Sequence, residues 1–268
     1  MTKILVAGDC YSEGFGLKLL THDPDLWINK LCSQVFNTPQ IDNISSTGAN
    51  ANTVFLNTAS AILQKNYDVV IVGWGSTPRF NFNVGLELYH TRTTFADAGI
   101  NLNSGVTIPG SYLKDIGDKL KGLYNPHWLN LELIKYVNIL YDMQVTHRNR
   151  KLFFVNHSLV HCNNFFQRTS FNVPSELDPY VQGLLEVSAR CDREVYDLYS
   201  MIYDQYQLHG GIREDNWLNL YKSLADLQVD KVSATDNHAG YRSQMAYVEY
   251  LAPLLQKKLN ENSHNNNS

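Results

Sequence analysis

Lys3-Ile4-Leu5-Val6-Ala7-Gly8-Asp9-Cys10-Tyr11-Ser12-Glu13-Gly14 is an apolar run that passes without a break into a polar turn. Residues 3–8 alternate too little for a strand with one wet face, so they predict a strand buried on both faces, the kind found in parallel sheets. Gly8 ends the run, and three side chains able to do chemistry follow at once: Asp9, Cys10 and Ser12. In doubly wound α/β sheets, reacting groups collect at the carboxyl ends of the strands, where loops from several strands meet. The fold and the site are therefore read from the same few residues.

Working outward, helical spacing appears near 17–20 and again over 24–35, through Leu26, Trp27, Leu31 and Cys32. A short strand is expected over 40–44, followed by the polar turn Ser45-Ser46-Thr47-Gly48-Ala49-Asn50. Residues 53–64 space Val54, Leu56, Ala59, Ile62 and Leu63 as one face of a helix. Asp68-Val69-Val70-Ile71-Val72-Gly73 is the clearest buried strand in the chain. Residues 74–124, rich in Gly, Asn, Thr and Tyr with weak periodicity, read as a long insertion over the strand ends, a place where lids and binding surfaces are built. A helix over 127–147, a strand over 151–156, a helix near 178–206 and a last helix over 240–258 complete the pattern. The expectation is α/β: three layers, with a parallel sheet of about five strands in a flavodoxin-like order. One domain is expected over 1–259, with a polar, Asn-rich, disordered tail at 260–268.

Acyl transfer needs a nucleophile, a base within reach of its proton, and donors for the oxyanion. Cys10 stands where the first strand ends, and a helix starting there would favour its thiolate. A lone cysteine is equally at home as a small buried residue. His238 lies in Thr235-Asp236-Asn237-His238-Ala239-Gly240, just ahead of the last helix. Asp236, two residues earlier, can hold one ring nitrogen while the other faces the nucleophile. Taken alone, an Asp-x-His is more often a surface capping turn. The turns Gly48-Ala49-Asn50 and Gly73-Trp74-Gly75-Ser76 can supply oxyanion donors or simply reverse the chain. Ser12 is a rival nucleophile, ranked below Cys10 because two residues further on it should point elsewhere.

Four blocks in this order, spanning residues 4 to about 255, resemble the SGNH/GDSL hydrolases. Gly8-Asp9-Cys10-Tyr11-Ser12 is similar to the opening Gly-Asp-Ser block, with Cys10 in the place of the nucleophilic serine. The stretch Asn43-Ile44-Ser45-Ser46-Thr47-Gly48 is similar to the Asn-x-x-x-x-Gly block, with Gly48 as the oxyanion glycine. Gly73-Trp74-Gly75 stands for the block that should read Gly-x-Asn, and Asp236-Asn237-His238 for the final Asp-x-His. The style is closest to SGNH-like proteins common in phage genomes. The resemblance implies an acyl hydrolase or acyltransferase with Cys10, His238 and Asp236 catalytic. The oxyanion would be held by the backbone N–H groups of Cys10 and Gly48, with Gly75, Asn50, Asn52 and Ser76 as further candidates for that donor set. Asp9, Trp74, Ser76 and Arg79 are the expected substrate-binding residues, Arg79 being equally suited to a salt bridge. The substrate expected is a small-molecule or carbohydrate ester or thioester, with no cofactor and no metal. Gly75 in place of Asn removes a donor whose loss in comparable sites costs roughly 10²–10³ in rate. A retired site on a binding or structural protein is the competing expectation.

Composition narrows the field. A net charge of −4 leaves no global basic field for nucleic acid or anionic membrane. The sequence opens on a strand with no charged leader or apolar run, and no stretch approaches the ~18 apolar residues of a membrane span, so a cytoplasmic protein is expected. Cysteines 10, 32, 162 and 191 show no paired spacing. His157 and His161 share a helical spacing beside Cys162, yet no accompanying Glu makes them a metalloprotease set, and a structural or pocket-lining role is the better expectation. Gly14-Phe15-Gly16 lacks the third glycine of a dinucleotide fingerprint, since Leu19 stands there, and no P-loop exists. Aromatic residues of the insertion (Phe80, Tyr89, Tyr112, Trp128 among them) suit sugar stacking, though at least half should build a small core of their own.

Overall fold

The first strand, β1 (Thr2–Ala7), forms where the apolar run predicts it, and Ile4, Leu5, Val6 and Ala7 are all buried. This computed structural model describes residues 1–14, 16–17, 19–75, 79–84, 87–92, 100–101, 107–108, 126–157, 213–234, 236 and 238–264. Beside β1 lie β2 (Pro39–Asn43) and β3 (Val69–Trp74), and beyond β3 lies β8 (Lys151–Asn156). The four make one parallel sheet in the order β2-β1-β3-β8. Register is fixed by the apolar runs: Val6 faces Ile71, and Ile71 faces Phe153 across the ladder. Residues 3–8, 68–73 and 151–156 are thus neighbouring parallel strands, the requirement that the expected fold had to meet.

Alternate residues of the strands face opposite layers. On one face Ile4, Val6, Val69, Ile71, Phe153 and Val155 share a core with α2 (Trp27–Val35) and α5 (Tyr241–His264). From these helices Trp27, Leu31, Tyr247 and Leu251 are buried to the last percent. The other face is covered by α3 (Ala51–Gln64), which packs on β1 and β3. The protein is therefore α/β, a parallel sheet with helices on both faces. Each fully buried Leu, Ile, Val or Phe in these layers contributes about 1.5–3 kcal/mol.

Four strands make up this sheet among the described residues, against about five expected. Where a fifth would stand, Trp217 makes a single parallel bridge to Phe154 and Leu218 N–H donates to Phe154 C=O. After that the segment leaves the ladder: Asn219 turns its amide onto the backbone N–H and C=O of Asn156. A side chain thus takes over the bonds that a strand would have made.

Other boundaries moved too. Where helical spacing is expected at 17–20, Leu17 stands in a turn and Leu19 and Leu20 in no regular element, after Gly14 and Gly16 in the left-handed region (φ 79° and 84°). The helix expected over 127–147 is α4 (Pro126–Tyr141) continued by a π-helical segment, Asp142–Thr146. In that segment Gln144, fully buried, donates to the carbonyls of Tyr67 and Lys151. The last helix runs to His264, past the expected end near 258.

Two compact units divide the chain. One holds the sheet and comprises Met1–Ser76, Ile139–Cys162 and Arg213–Ser268. The second, Thr77–Asn138 with Asn163–Ile212, contains most of the expected insertion. Its described strands are the antiparallel hairpin β4 (Arg79–Val84) with β5 (Glu87–Arg92), and the short pair β6 (Ile100–Asn101) with β7 (Thr107–Ile108). The helix expected near 178–206 lies outside the described residues.

Candidate active site

Cys10 opens a one-turn helix, α1 (Cys10–Glu13), directly after β1. Asp9 is its N-cap: Oδ1 accepts the Tyr11 N–H at 3.1 Å, and its carbonyl accepts the N–H groups of Ser12 and Glu13. Four residues is too short for a helix to hold itself. What holds this one is tertiary. The indole N–H of Trp27 donates to Tyr11 C=O at 2.7 Å, Asn43 donates to Ser12 C=O at 3.0 Å, and Thr47 donates to the Glu13 carboxyl. Cys10 itself is 3% exposed.

The turn carrying Gly48 is drawn to the same strand end. Ser46 N–H donates to Gly8 C=O, and Asn43 Oδ1 accepts Ser45 N–H. Gly48 has φ 78°, a conformation that favours glycine. Asn50, one of the expected oxyanion donors, caps α3 by accepting Thr53 N–H. That is a structural duty for its oxygen.

His238 and Asp236 form the expected pair. His238 Nδ1 and Asp236 Oδ1 are 2.5 Å apart, and the same oxygen accepts the His238 backbone N–H. Those two bonds hold the Asp236 carboxyl below the usual carboxylate range, the backbone bond contributing most. The pair sits just ahead of α5 and is partly exposed. Its Oδ2 rests against Gly16, where an added Cβ would come within 2.8 Å. The Asp-x-His segment therefore touches the loop that leaves α1.

A separate, buried relay joins Asp9, His157 and Ser12, which the sequence reading did not connect. His157, the first residue after β8, brings Nδ1 to 2.8 Å from Asp9 Oδ1 and Nε2 to 3.1 Å from Ser12 Oγ. With Nδ1–H donating to Asp9, Nε2 is left to accept the Ser12 hydroxyl. All three side chains are buried, none more than 2% exposed. Three glycines make room. A Cβ on Gly8 would meet Ser12 Oγ at 2.8 Å, one on Gly73 would meet His157 Cε1 at 2.0 Å, and one on Gly75 would meet Asp9 Oδ2 at 1.9 Å. Gly75, the position where the resembled block carries Asn, thus has the Asp9 carboxyl standing where a side chain would begin. The usable signal was the set of glycines at strand ends beside a histidine at another strand end.

The remaining candidates sort by place. Asp9 is fully buried in the relay, and Trp74 is fully buried with its ring 6.2 Å from Phe154, so both build the interior. Ser76, Asn237, His161, Cys162 and Cys191 lie outside the described residues. Arg79 begins β4 in the other unit, and its side chain also lies outside. No group of three or more His, Cys, Asp or Glu among the described residues is arranged to hold a metal. Among the described residues no helix is long and apolar enough to cross a membrane. A cavity of about 360 Å³ opens beside β2, lined by Thr21, His22, Asp42, Lys65 and Tyr67 among others; Cys10, His157 and His238 take no part in its wall.

No protein-family model matches the chain, and no curated protein matches its sequence. Solved structures do. The crystal structure of TesA is 13% identical, with 96% of this chain and 99% of that one covered and a TM-score of 0.47. The psychrotrophic esterase EstA from Pseudoalteromonas sp. is 12% identical, with 97% and 100% covered and a TM-score of 0.47. A lipase/acylhydrolase from Enterococcus faecalis is 11% identical, with 96% and 97% covered and a TM-score of 0.41. At such identities and TM-scores the functional reading has to stand on this chain's own residues.

Proposed function

We propose that the protein is an acyl hydrolase or acyltransferase of SGNH type, acting on an ester or thioester through Cys10, His238 and Asp236. The observation that carries this reading is the Asp236–His238 pair: one ring nitrogen is already held, and the pair rests on Gly16 in the loop that leaves the Cys10 turn. His238 takes the Cys10 thiol proton, and the sulfur attacks the substrate carbonyl carbon. The tetrahedral oxyanion is held by the backbone N–H groups of Cys10 and Gly48. Collapse breaks the bond to the leaving alcohol or thiol, which takes its proton from His238. Water or an acceptor hydroxyl then attacks the thioacyl-enzyme, with His238 again as base, and Cys10 is released as the thiol. Small acylated molecules and acylated sugars are the substrate class proposed.

Ser12 has a relay of its own in the order of a catalytic triad. It and His157 are buried, as Cys10 is, so burial does not separate the two nucleophiles, and Cys10 is preferred for its place in the Gly-Asp-x block at the end of β1. A different second reading, a binding or structural protein on the same fold, is favoured by Gly75, where the Asp9 carboxyl occupies the space of the absent Asn. Intact mass and p-nitrophenolate release on incubation with p-nitrophenyl acetate decide between them. An acetyl adduct on the wild type that disappears in both Cys10→Ala and His238→Ala supports the enzyme. A wild type that gains no adduct and releases p-nitrophenolate no faster than Cys10→Ala, at about pH 6 to 9, supports the second reading.

A further inference from the structure

We propose that His157 is a positioning residue for Cys10, stapling the first turn of α1 from the end of β8; this rests on the acyl-transfer reading above. The ring bonds two side chains of one helical turn at once. Nδ1 holds the N-cap, Asp9, and Nε2 holds Ser12 three residues on, so Cys10 lies between the two arms. In a short helix the usual reciprocal cap comes from within the turn, with a side chain at the third helical position reaching back to the cap. Here the third position is a serine too short to do so, and an imidazole from a residue 145 positions away closes the gap.

The staple is itself fixed on every side. His157 backbone N–H donates to Trp74 C=O and its carbonyl accepts Ala225 N–H, so the residue cannot slide along the sheet. The ring is fitted over Gly73 and Gly8 too closely for any side chain there. Tyr11 and Trp27 flank it, with ring centroids at 5.5 and 6.1 Å. A ring pinned in this way transmits its position to the turn rather than yielding to it. The sheet's far strand thereby sets the place of the nucleophile at the end of its middle strand. A displacement of about 1 Å at a reacting atom can cost around 10²-fold in rate.

The test is the acetylation of Cys10 by p-nitrophenyl acetate, read by intact mass as two quantities, final adduct per chain and rate of its appearance. Adduct per chain follows the fraction folded; rate follows placement of the thiol. The variants are Ser12→Ala, which cuts one arm, His157→Ala, which cuts both, and His157→Asn, whose amide can restore the bond to Asp9. Expected are adduct levels within twofold of wild type, a rate about 3-fold lower for Ser12→Ala and at least 10-fold lower for His157→Ala, and partial recovery in His157→Asn. Amide exchange at Tyr11, Ser12 and Glu13 should quicken in the same order while the strands keep their protection. Ser12→Ala acetylating at the wild-type rate with unchanged exchange overturns the proposal, even if His157→Ala does not fold. Rates that fall only in proportion to adduct level also overturn it and leave a stabilising role. No adduct on the wild type, with p-nitrophenolate released no faster than by Cys10→Ala, overturns the acyl-transfer reading first, and the exchange data then show whether the staple exists without it.

Discussion

Gly75→Ala is the substitution whose cost follows most directly from the geometry. An ideal Cβ at Gly75 lies 1.9 Å from Asp9 Oδ2 and 2.6 Å from its Cγ, where real Cβ atoms essentially never come under 3.0 Å. The carboxyl would have to retreat by more than an ångström, and Oδ1 with it. The 2.8 Å bond to His157 and the 3.1 Å bond to Tyr11 N–H do not survive such a move. Hydrogen bonds to a charged group contribute about 1.5–3 kcal/mol, and a buried group left without a partner costs a further 1–3 kcal/mol. A total near 3 kcal/mol is expected, or roughly 6–12 °C in Tm for a chain of this size. Thermal and urea unfolding of Gly75→Ala, Asp9→Ala and the double variant measure it. Because each single change breaks the same bonds, the pair should be non-additive by about 2 kcal/mol. A Gly75→Ala protein within 0.5 kcal/mol of wild type, or a strictly additive cycle, would refute the argument.

Other outcomes follow from the same contacts. Gly75→Asn, which supplies the side chain of the resembled block, should fail to raise the acetylation rate of Cys10, since Asp9 stands in its path; a several-fold gain in that assay would count against the packing described. Asn219→Ala leaves the buried N–H and C=O of Asn156 without their side-chain partner and should lower stability by about 2–3 kcal/mol in urea unfolding. Burial pushes the Cys32 thiol up to about 12, so iodoacetamide at about pH 8 should modify it only in denaturant, as peptide mapping would reveal. Asp230 caps α5 by accepting from the N–H groups of Arg242 and Ser243 and from the Ser243 hydroxyl. Burial pushes its carboxyl up, but the bonds from Ser243 and Arg242 outweigh that and hold it below the ordinary value. A carboxyl lowered on folding stabilises above its unfolded pKa of about 3.9 and loses that contribution as pH falls through the folded value. The urea midpoint gap between wild type and Asp230→Asn should therefore narrow from about pH 6 to about pH 3; a gap independent of pH would be the contrary result.

Much of the fold was legible because its signals are local. The strands at 3–8, 68–73 and 151–156 are continuous apolar runs, and a sheet buried on both faces admits little else. Helices α2 and α3 announced themselves by apolar spacing, and the pairing of Asp236 with His238 by a separation of two residues. What misled was also local: the spacing at 17–20 is helical, but Gly14 and Gly16 take positive φ just before it, and Leu17, Leu19 and Leu20 stand in no helix. Among the described residues the sheet stops at four strands for another reason, since the bond that ends the ladder beside β8 comes from a side chain, Asn219, and side-chain caps on backbone leave no periodic trace.

For the site, the sequence by itself determined which chemistries were present and at which strand ends they stood. Gly8-Asp9-Cys10 at β1, Gly48 after β2, Gly73-Trp74-Gly75 at β3 and Asp236-Asn237-His238 before the last helix are all visible as words in the chain. Only the tertiary structure decided what those words do to one another. It made Asp9, a candidate substrate ligand, the buried partner of His157, and set the Ser12 hydroxyl on the other nitrogen of the same ring. It also supplied the reason that residue 75 is glycine, which lies not in its own neighbours but in a carboxyl 66 positions earlier. The physical reason is the range of the forces. Burial of apolar side chains writes a repeating pattern that any window of the chain displays, whereas a buried polar group must find one specific partner, and that partner is set by the folded path of the chain.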